Sequence, residues 1–201
     1  SGVQHSVRLL QNLVRKWGSD VVKAAINHTI DHTEKRVREE VAKWPDGTYE
    51  AEVLIDHDTM GTKDVRVHVA CTIEGDQLTV DLTGTDDRPE LVGVWNTFAN
   101  SRSYIMTQVV AAMDPAIVKN EGFFQAVDMF IPEGSIAQPP INKPAALGSF
   151  HPACEITEAV CLALSKVAPE RSAPQAYKIG MPNAVIGFDQ TGRMWMDQGG
   201  D

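Results

Sequence analysis

Residues Val65 to Leu82 read VRVHVACTIEGDQLTVDL, and the fold follows from how this stretch alternates. Val65, Val67, Val69, Cys71 and Ile73 fall on every second position, so an extended chain puts all five on one face. Leu78, Val80 and Leu82 repeat the pattern, and Glu74-Gly75-Asp76 between the two runs supplies a tight hairpin turn. Just upstream, Tyr49, Ala51, Val53 and Ile55 alternate in the same way. Three successive strands joined by short polar segments predict an antiparallel meander.

Outward from the meander the period changes. Val7, Leu10, Leu13, Val14 and Trp17 stand at helical spacing, with Gly18 as a stop signal. Ser19 offers an N-cap hydroxyl to a second, longer helix whose stripe is Val22, Ile26, Ile30, Val37 and Val41, with Thr33 filling the missing step. Trp44-Pro45-Asp46-Gly47 ends it, because proline forbids continuation and Asp-Gly turns the chain. Downstream, Thr97 to Met113 reads as a helix with Phe98, Tyr104, Ile105, Val109 and Ala112 for burial, and Gln125 to Ile131 as a short strand. A helix over Cys154 to Val167 and two strands, Ala184 to Phe188 and Met194 to Met196, complete the pattern. Helices and strands come in blocks, which predicts an α+β fold: a meander sheet packed with several helices and carrying an N-terminal helical pair. Residues 1–46 form the helical segment and residues 47–201 the α+β core, together one domain.

Composition narrows the function. A net charge of −9 lacks the clustered Lys and Arg that phosphate neutralisation needs, so nucleic acid is excluded as a partner. The basic run Lys35, Arg36 and Arg38 is bounded by acids and reads as a solvated helix face. No apolar run approaches the roughly 20 residues that span a bilayer, so a membrane is not expected either. Cys154 and Cys161 are seven residues apart in a helical pattern, which separates them by about 10 Å, too far for a disulfide. Three unpaired thiols predict a reducing, cytoplasmic setting. The chain opens without Met and stops on Gly199-Gly200-Asp201 just after a strand pattern, so an excised piece of a longer polypeptide is expected.

Candidate chemistry is sparse. His28 and His32 are four apart, a spacing that lets two imidazoles share a metal, but Thr29 stands where a zinc-enzyme motif has Glu, and Asp31, Glu34, Lys35 and Arg38 mark a solvated face. Nucleophile-elbow, phosphate-loop and dinucleotide glycine motifs are missing, so no cofactor and no metal are expected in this segment. Cys154 and Cys161, in an apolar helix, read as buried structural thiols. In VDLTGT, Asp81 and Thr83 point away from Val80 and Leu82, and Gly84 permits a turn. A carboxylate there accepts bonds from backbone N–H groups or Thr hydroxyls and pins the loop Thr85 to Asn96; it equally suits the orientation of a substrate, or of a metal ligand brought by another part of the protein. Asn96, and Asn120 with Gly122, are amides of the kind that fix irregular backbone or line a pocket.

Taken in order, HTEKRVREEVAKWPDGTYEAE, VDLTGT, VGVWN, KNEGFF, VDMFIPEGSI, KPAA and Ala168-Pro169-Glu170-Arg171 resemble the B-type subunit of the hydantoinase/oxoprolinase family over nearly the whole chain. That resemblance implies a multi-part enzyme in which an A-type partner binds ATP, with its Mg2+, and the B-type part acts on a small-molecule substrate. In the hydrolytic branch ATP activates the amide oxygen of a cyclic amide such as a hydantoin or 5-oxoproline; the amide loses resonance and water opens the ring. The related ketone carboxylases, of the acetone and acetophenone type, share the fold, so fold does not choose between them. The His- and Asp-containing motifs that supply a metal site in those relatives lie upstream of the portion represented here, which leaves a divalent metal to that upstream part. The expected roles are therefore part of a cyclic-amide hydrolase first, part of a ketone carboxylase second, and a non-catalytic docking module third. The segment alone is expected to be inactive, with Asp81, Thr83, Asn96, Asn120 and Asp128 facing or supporting the substrate pocket.

Overall fold

The computed structural model describes residues 2–145, 151–171, 183–188 and 191–199. Two helices lead, α1 (Gly2–Trp17) and α2 (Ser19–Val41), followed by β1 (Gly47–His57), β2 (Lys63–Glu74) and β3 (Gln77–Asp81). Then come α3 (Phe98–Ala112), α4 (Glu121–Gln125), β4 (Val127–Phe130), α5 (Ala153–Ser165) and a hairpin of β5 (Asn183–Phe188) with β6 (Met194–Gly199).

The three-strand meander forms as the alternation predicts. β1 and β2 pair antiparallel from Gly47↔Ile73 to His57↔Lys63, and β2 and β3 from Ala70↔Asp81 to Glu74↔Gln77. The hairpin turn holds Gly75 at φ 62°, the left-handed first position of a type II′ turn. The fourth strand departs from a pure meander: β4 lies parallel to β3, with Leu78 opposite Val127 and Asp81 opposite Phe130. A parallel neighbour requires a crossover, and α3 and α4 lie in the connection.

The inward face of β2 and β3 is fully buried, while on β1 Tyr49 and Ala51 are half-buried and Val53 and Ile55 buried. Val65, Val67, Val69, Cys71, Ile73, Leu78, Val80 and Leu82 have no exposed surface, and each aliphatic side chain among them contributes about 1.5–3 kcal/mol by leaving water. α5 lies over β1 and β2 on this face, with Ile156, Val160 and Leu164 buried, and α3 packs in turn on α5. Burial also raises the Cys71 thiol pKa to about 12. The opposite face stays polar, crossed by a threonine row in which Thr48 and Thr72 exchange a hydroxyl bond of 3.1 Å.

Several local expectations are corrected. Ser19 is the first residue of α2, Gly18 occupies the N-cap at φ 83°, and the Ser19 hydroxyl bonds to Asp20 instead. The α2 stripe buries Val22, Thr33, Val37 and Val41 but leaves Ile26 exposed and Ile30 half-buried, since only the second half of the helix reaches the core. In α3, Phe98 is exposed in the first turn and Tyr104 half-buried, while Ser101 and Met106 go inside. Cys161 is buried, but Cys154 only half so. α1 buries none of its side chains.

Candidate functional site

β3 and β4 run in the same direction, and a polar cleft of about 490 Å3 lies at their carboxyl ends, the place where parallel strands commonly present a ligand site. Its walls include Arg66, Thr83, Gly84, Asp87, Arg88, Phe130 and Glu133. The loop after β3 builds it. Asp81 Oδ1 accepts the Thr83 N–H at 2.7 Å and the Thr83 hydroxyl at 2.6 Å, which turns the chain, and Gly84 follows at φ 91°. The His68 ring donates from Nδ1 to the Thr83 carbonyl at 2.6 Å, which places its proton on that nitrogen.

Below the turn, buried Thr85 acts as a surrogate strand residue. Its hydroxyl accepts the His68 N–H at 3.1 Å and donates to the His68 carbonyl at 3.0 Å, so the β2 ladder is satisfied after β3 has ended. Asp86 continues the rim: its N–H donates to the Arg66 carbonyl at 2.9 Å, and its carboxylate takes the Arg88 guanidinium at 2.6–3.0 Å. Arg88 also donates to the carbonyls of Lys63 and Asp64. Desolvation pushes the Asp86 carboxyl up, but the Arg88 side chain, the N–H groups of Arg88 and Arg66, and the Arg88 charge outweigh it and hold the group below the usual carboxylate range.

The far end of the loop is tied by a carboxylate that sequence reasoning passed over. Asp58, 2% exposed, accepts the N–H groups of Met60 and Thr62 on Oδ1 and that of Val92 on Oδ2, all within 2.9 Å. Desolvation raises its pKa, yet the three backbone bonds, helped by the Thr62 side chain, prevail and lower it. The stretch Asp58-Thr59-Met60-Gly61 carries a turn signal for the two local bonds, but nothing local announces the bond to Val92.

The five candidate residues occupy different places. Asp81 and Thr83 form one unit beside the cleft, and Thr83 lines it. Asp128 lies on β4 opposite Thr79, on the polar side of the sheet, and accepts from Gln77 Nε2 at 2.5 Å. Asn96 is 1% exposed at the start of α3; its Oδ1 accepts from Thr97 N and Asn100 Nδ2, and its N–H reaches the Ile136 carbonyl at 2.8 Å. Asn120 caps α4 through Gly122 N at 2.8 Å and clasps α2 by donating to Thr33 Oγ1 at 2.9 Å. Beside it Gly122 touches α2 so closely that a Cβ would come within 2.3 Å of the Ile30 carbonyl oxygen. KNEGFF is thus a helix-packing clasp away from the cleft.

His28 and His32 are both exposed, their rings stacked at 6.4 Å, on the solvated face of α2. Among the described residues no three His, Cys, Asp or Glu side chains gather as a metal-holding group, and no helix is long and apolar enough to cross a membrane. Fully buried Glu155, in the first turn of α5, accepts from the His151 ring at 2.9 Å, a pair that the helix periodicity alone does not reveal.

Compared with known proteins, residues 1–199 match the family model of hydantoinase B/oxoprolinase. A protein of Pseudomonas sp. (strain NS671), named for the B-type part of a D-/L-hydantoinase, is 28% identical over 172 residues, covering 79% of this chain and 28% of its own length. The beta chain of the caprolactamase of Pseudomonas jessenii is 25% identical over 171 residues, 85% of this chain and 28% of its own. The crystal structure of the ATP-dependent caprolactamase from that organism superposes with a TM-score of 0.72 at 24% identity, over 82% of this chain and 28% of that one. The nucleotide-free acetone carboxylase superposes with a TM-score of 0.71 at 18% identity, over 95% of this chain and 27% of that one. The chain therefore spans under a third of the length of the relatives it matches.

Proposed function

Since the chain belongs to the hydantoinase B/oxoprolinase family, we propose that it forms part of a B-type subunit of an ATP-dependent cyclic-amide hydrolase that works with an A-type partner. The likeness to proteins named for a hydantoinase and for a caprolactamase carries this reading, because hydantoins and caprolactam are both cyclic amides. ATP, bound with Mg2+ by the A-type partner, supplies the activation that a resonance-stabilised amide needs before water can open its ring. Phosphate-cradling glycine motifs are missing from this sequence, which is consistent with that division.

This chain's part is to bind and orient the ring. The cleft beyond β3 and β4 offers guanidinium groups at Arg66 and Arg88 as donors, the Thr83 hydroxyl oxygen as an acceptor for an amide N–H, and the exposed ring of Phe130 as an apolar wall. A flat amide needs such a combination: a ring face to cover its carbons and donors for its oxygen. Asp81 holds Thr83, and the Asp86–Arg88 pair holds the rim, so these residues position the cleft.

The test is ATP consumption by the full-length B-type polypeptide with its A-type partner. Consumption that rises with a hydantoin or lactam supports the reading. Consumption that responds to no cyclic amide, and instead to a ketone with bicarbonate, replaces it with the carboxylase reading, for which the acetone carboxylase superposition supplies likeness of fold alone. If Asp81→Ala weakened assembly and left turnover per complex intact, the segment would be a docking module.

A further inference from the structure

The charges that line the cleft beyond β3 and β4 do not carry equal weight. Arg66 and Arg88 both face it, but each already has its counter-ion. Arg66 Nε donates to Glu52 at 2.5 Å across the polar side of the sheet. Arg88 grips both carboxylate oxygens of Asp86. These pairs leave N–H groups to offer and no net positive charge. Among the described residues only Nε of the Arg66 guanidinium is bonded, and its Nη1 lies at the cleft wall, 3.6 Å from where a Cβ on Gly84 would stand.

Two more carboxylates face the same cleft, Asp87 on the loop after β3 and Glu133 in the turn after β4. Both are exposed, and neither makes an ion pair among the described residues. With the guanidinium groups neutralised by Glu52 and Asp86, Asp87 and Glu133 are the uncompensated charges of the cleft. The carbonyl oxygen of a cyclic amide accepts from a neutralised guanidinium without penalty. A carboxylate carried on the ring gains little from a guanidinium that already has one, and it meets Asp87 and Glu133 with its own sign.

We propose that this cleft selects cyclic amides that bear no acidic group: Arg66 and Arg88 donate to the ring carbonyl, while Asp87 and Glu133 turn away a ring carboxylate. This rests on the hydrolase reading above and names the class of ring within it. 5-Oxoproline, which carries a carboxylate, falls outside that class, whereas an unsubstituted hydantoin or lactam falls inside it.

The experiment measures kcat/KM for ATP-dependent ring opening by the full-length B-type polypeptide with its A-type partner. Its substrates are two matched pairs that differ in one charge: 5-oxoprolinamide with 5-oxoproline, and hydantoin-5-acetamide with hydantoin-5-acetate. The native complex is expected to favour the uncharged member by at least about 10-fold, and Asp87→Asn/Glu133→Gln to cut that preference about 10-fold. Asp87→Glu/Glu133→Asp keeps both charges and is expected to keep the preference, which separates charge from shape. A native complex that opens the carboxylate member as well as its twin overturns the proposal and leaves the hydrolase reading standing. So does one that opens other cyclic amides and neither member of either pair. A preference unmoved in the Asn/Gln variant, or lost equally in the charge-keeping one, also overturns it. ATP consumption that responds to no cyclic amide overturns both.

Discussion

The contact between α4 and α2 makes a prediction opposite in sign to the one helix propensity would give. Gly122 lies in the first turn of α4, where alanine would ordinarily favour the helix by up to about 1 kcal/mol. Here the added Cβ would stand 2.3 Å from the Ile30 carbonyl oxygen, 2.7 Å from Thr33 Cβ and 2.8 Å from the Glu34 nitrogen. Two of these are backbone atoms of a helix and cannot rotate aside, so an ordinary separation of 3.4 Å requires the helices to part by about 1 Å. Overpacking of that kind costs about 1–3 kcal/mol, and the upper end applies because parting also stretches the 2.9 Å bond from Asn120 to Thr33. Subtracting the propensity gain leaves Gly122→Ala about 2 kcal/mol less stable, a fall in Tm of about 4–8 °C for a chain of this length. Thermal unfolding followed by circular dichroism measures it, with Gly2→Ala as the control, since a Cβ there meets nothing within 4 Å. A Gly122→Ala protein melting at or above the native temperature would refute the clasp.

Thr85→Val keeps the shape of the side chain but strands the backbone N–H and carbonyl of His68; we expect a loss of about 1–3 kcal/mol in urea unfolding. The Asp58 carboxyl is held low in the folded protein, so its stabilisation is complete above the ordinary carboxylate pKa of about 4 and is lost as pH falls through the lower folded value. Asp58→Asn should therefore flatten the fall of stability with acid below pH of about 4; an unchanged acid profile would contradict the role given to its three backbone bonds. Cys71, with its thiol pKa raised to about 12, should stay unmodified by a thiol reagent at pH of about 8 until the protein unfolds. Labelling mapped by mass spectrometry reads this directly.

How far these features could be read beforehand depended on their range along the chain. The β2–β3 hairpin was legible because alternation and a Gly-containing turn are local, and every inward residue is buried. Periodicity also revealed α1 as a helix, but an apolar stripe says that a side is to be covered and not by what. The parallel seat of β4 was not legible, since register across a crossover depends on how α3 and α4 fill the space between. Of the site, Asp81 pinning Thr83 was legible as a two-residue turn device. Asp58 reaching Val92 and Thr85 serving His68 are pairings across 34 and 17 residues with no local signature. Asn120 belonged to a recognisable motif, yet its bond to Thr33 depends on the approach of α2, which nothing local announces.

The parallel pairing of β3 with β4 also sets an order of events as the polypeptide leaves the ribosome. The hairpin before it closes over two residues, whereas Leu78 must wait for Val127, roughly 50 residues later, before its strand gains a second neighbour. Until then the outer rim of β3 is an unpaired template beside a nascent apolar sheet, the condition that invites intermolecular strand exchange. Chaperone demand during synthesis should accordingly peak between emergence of the hairpin and arrival of β4, and a tighter crossover would shorten that vulnerable interval.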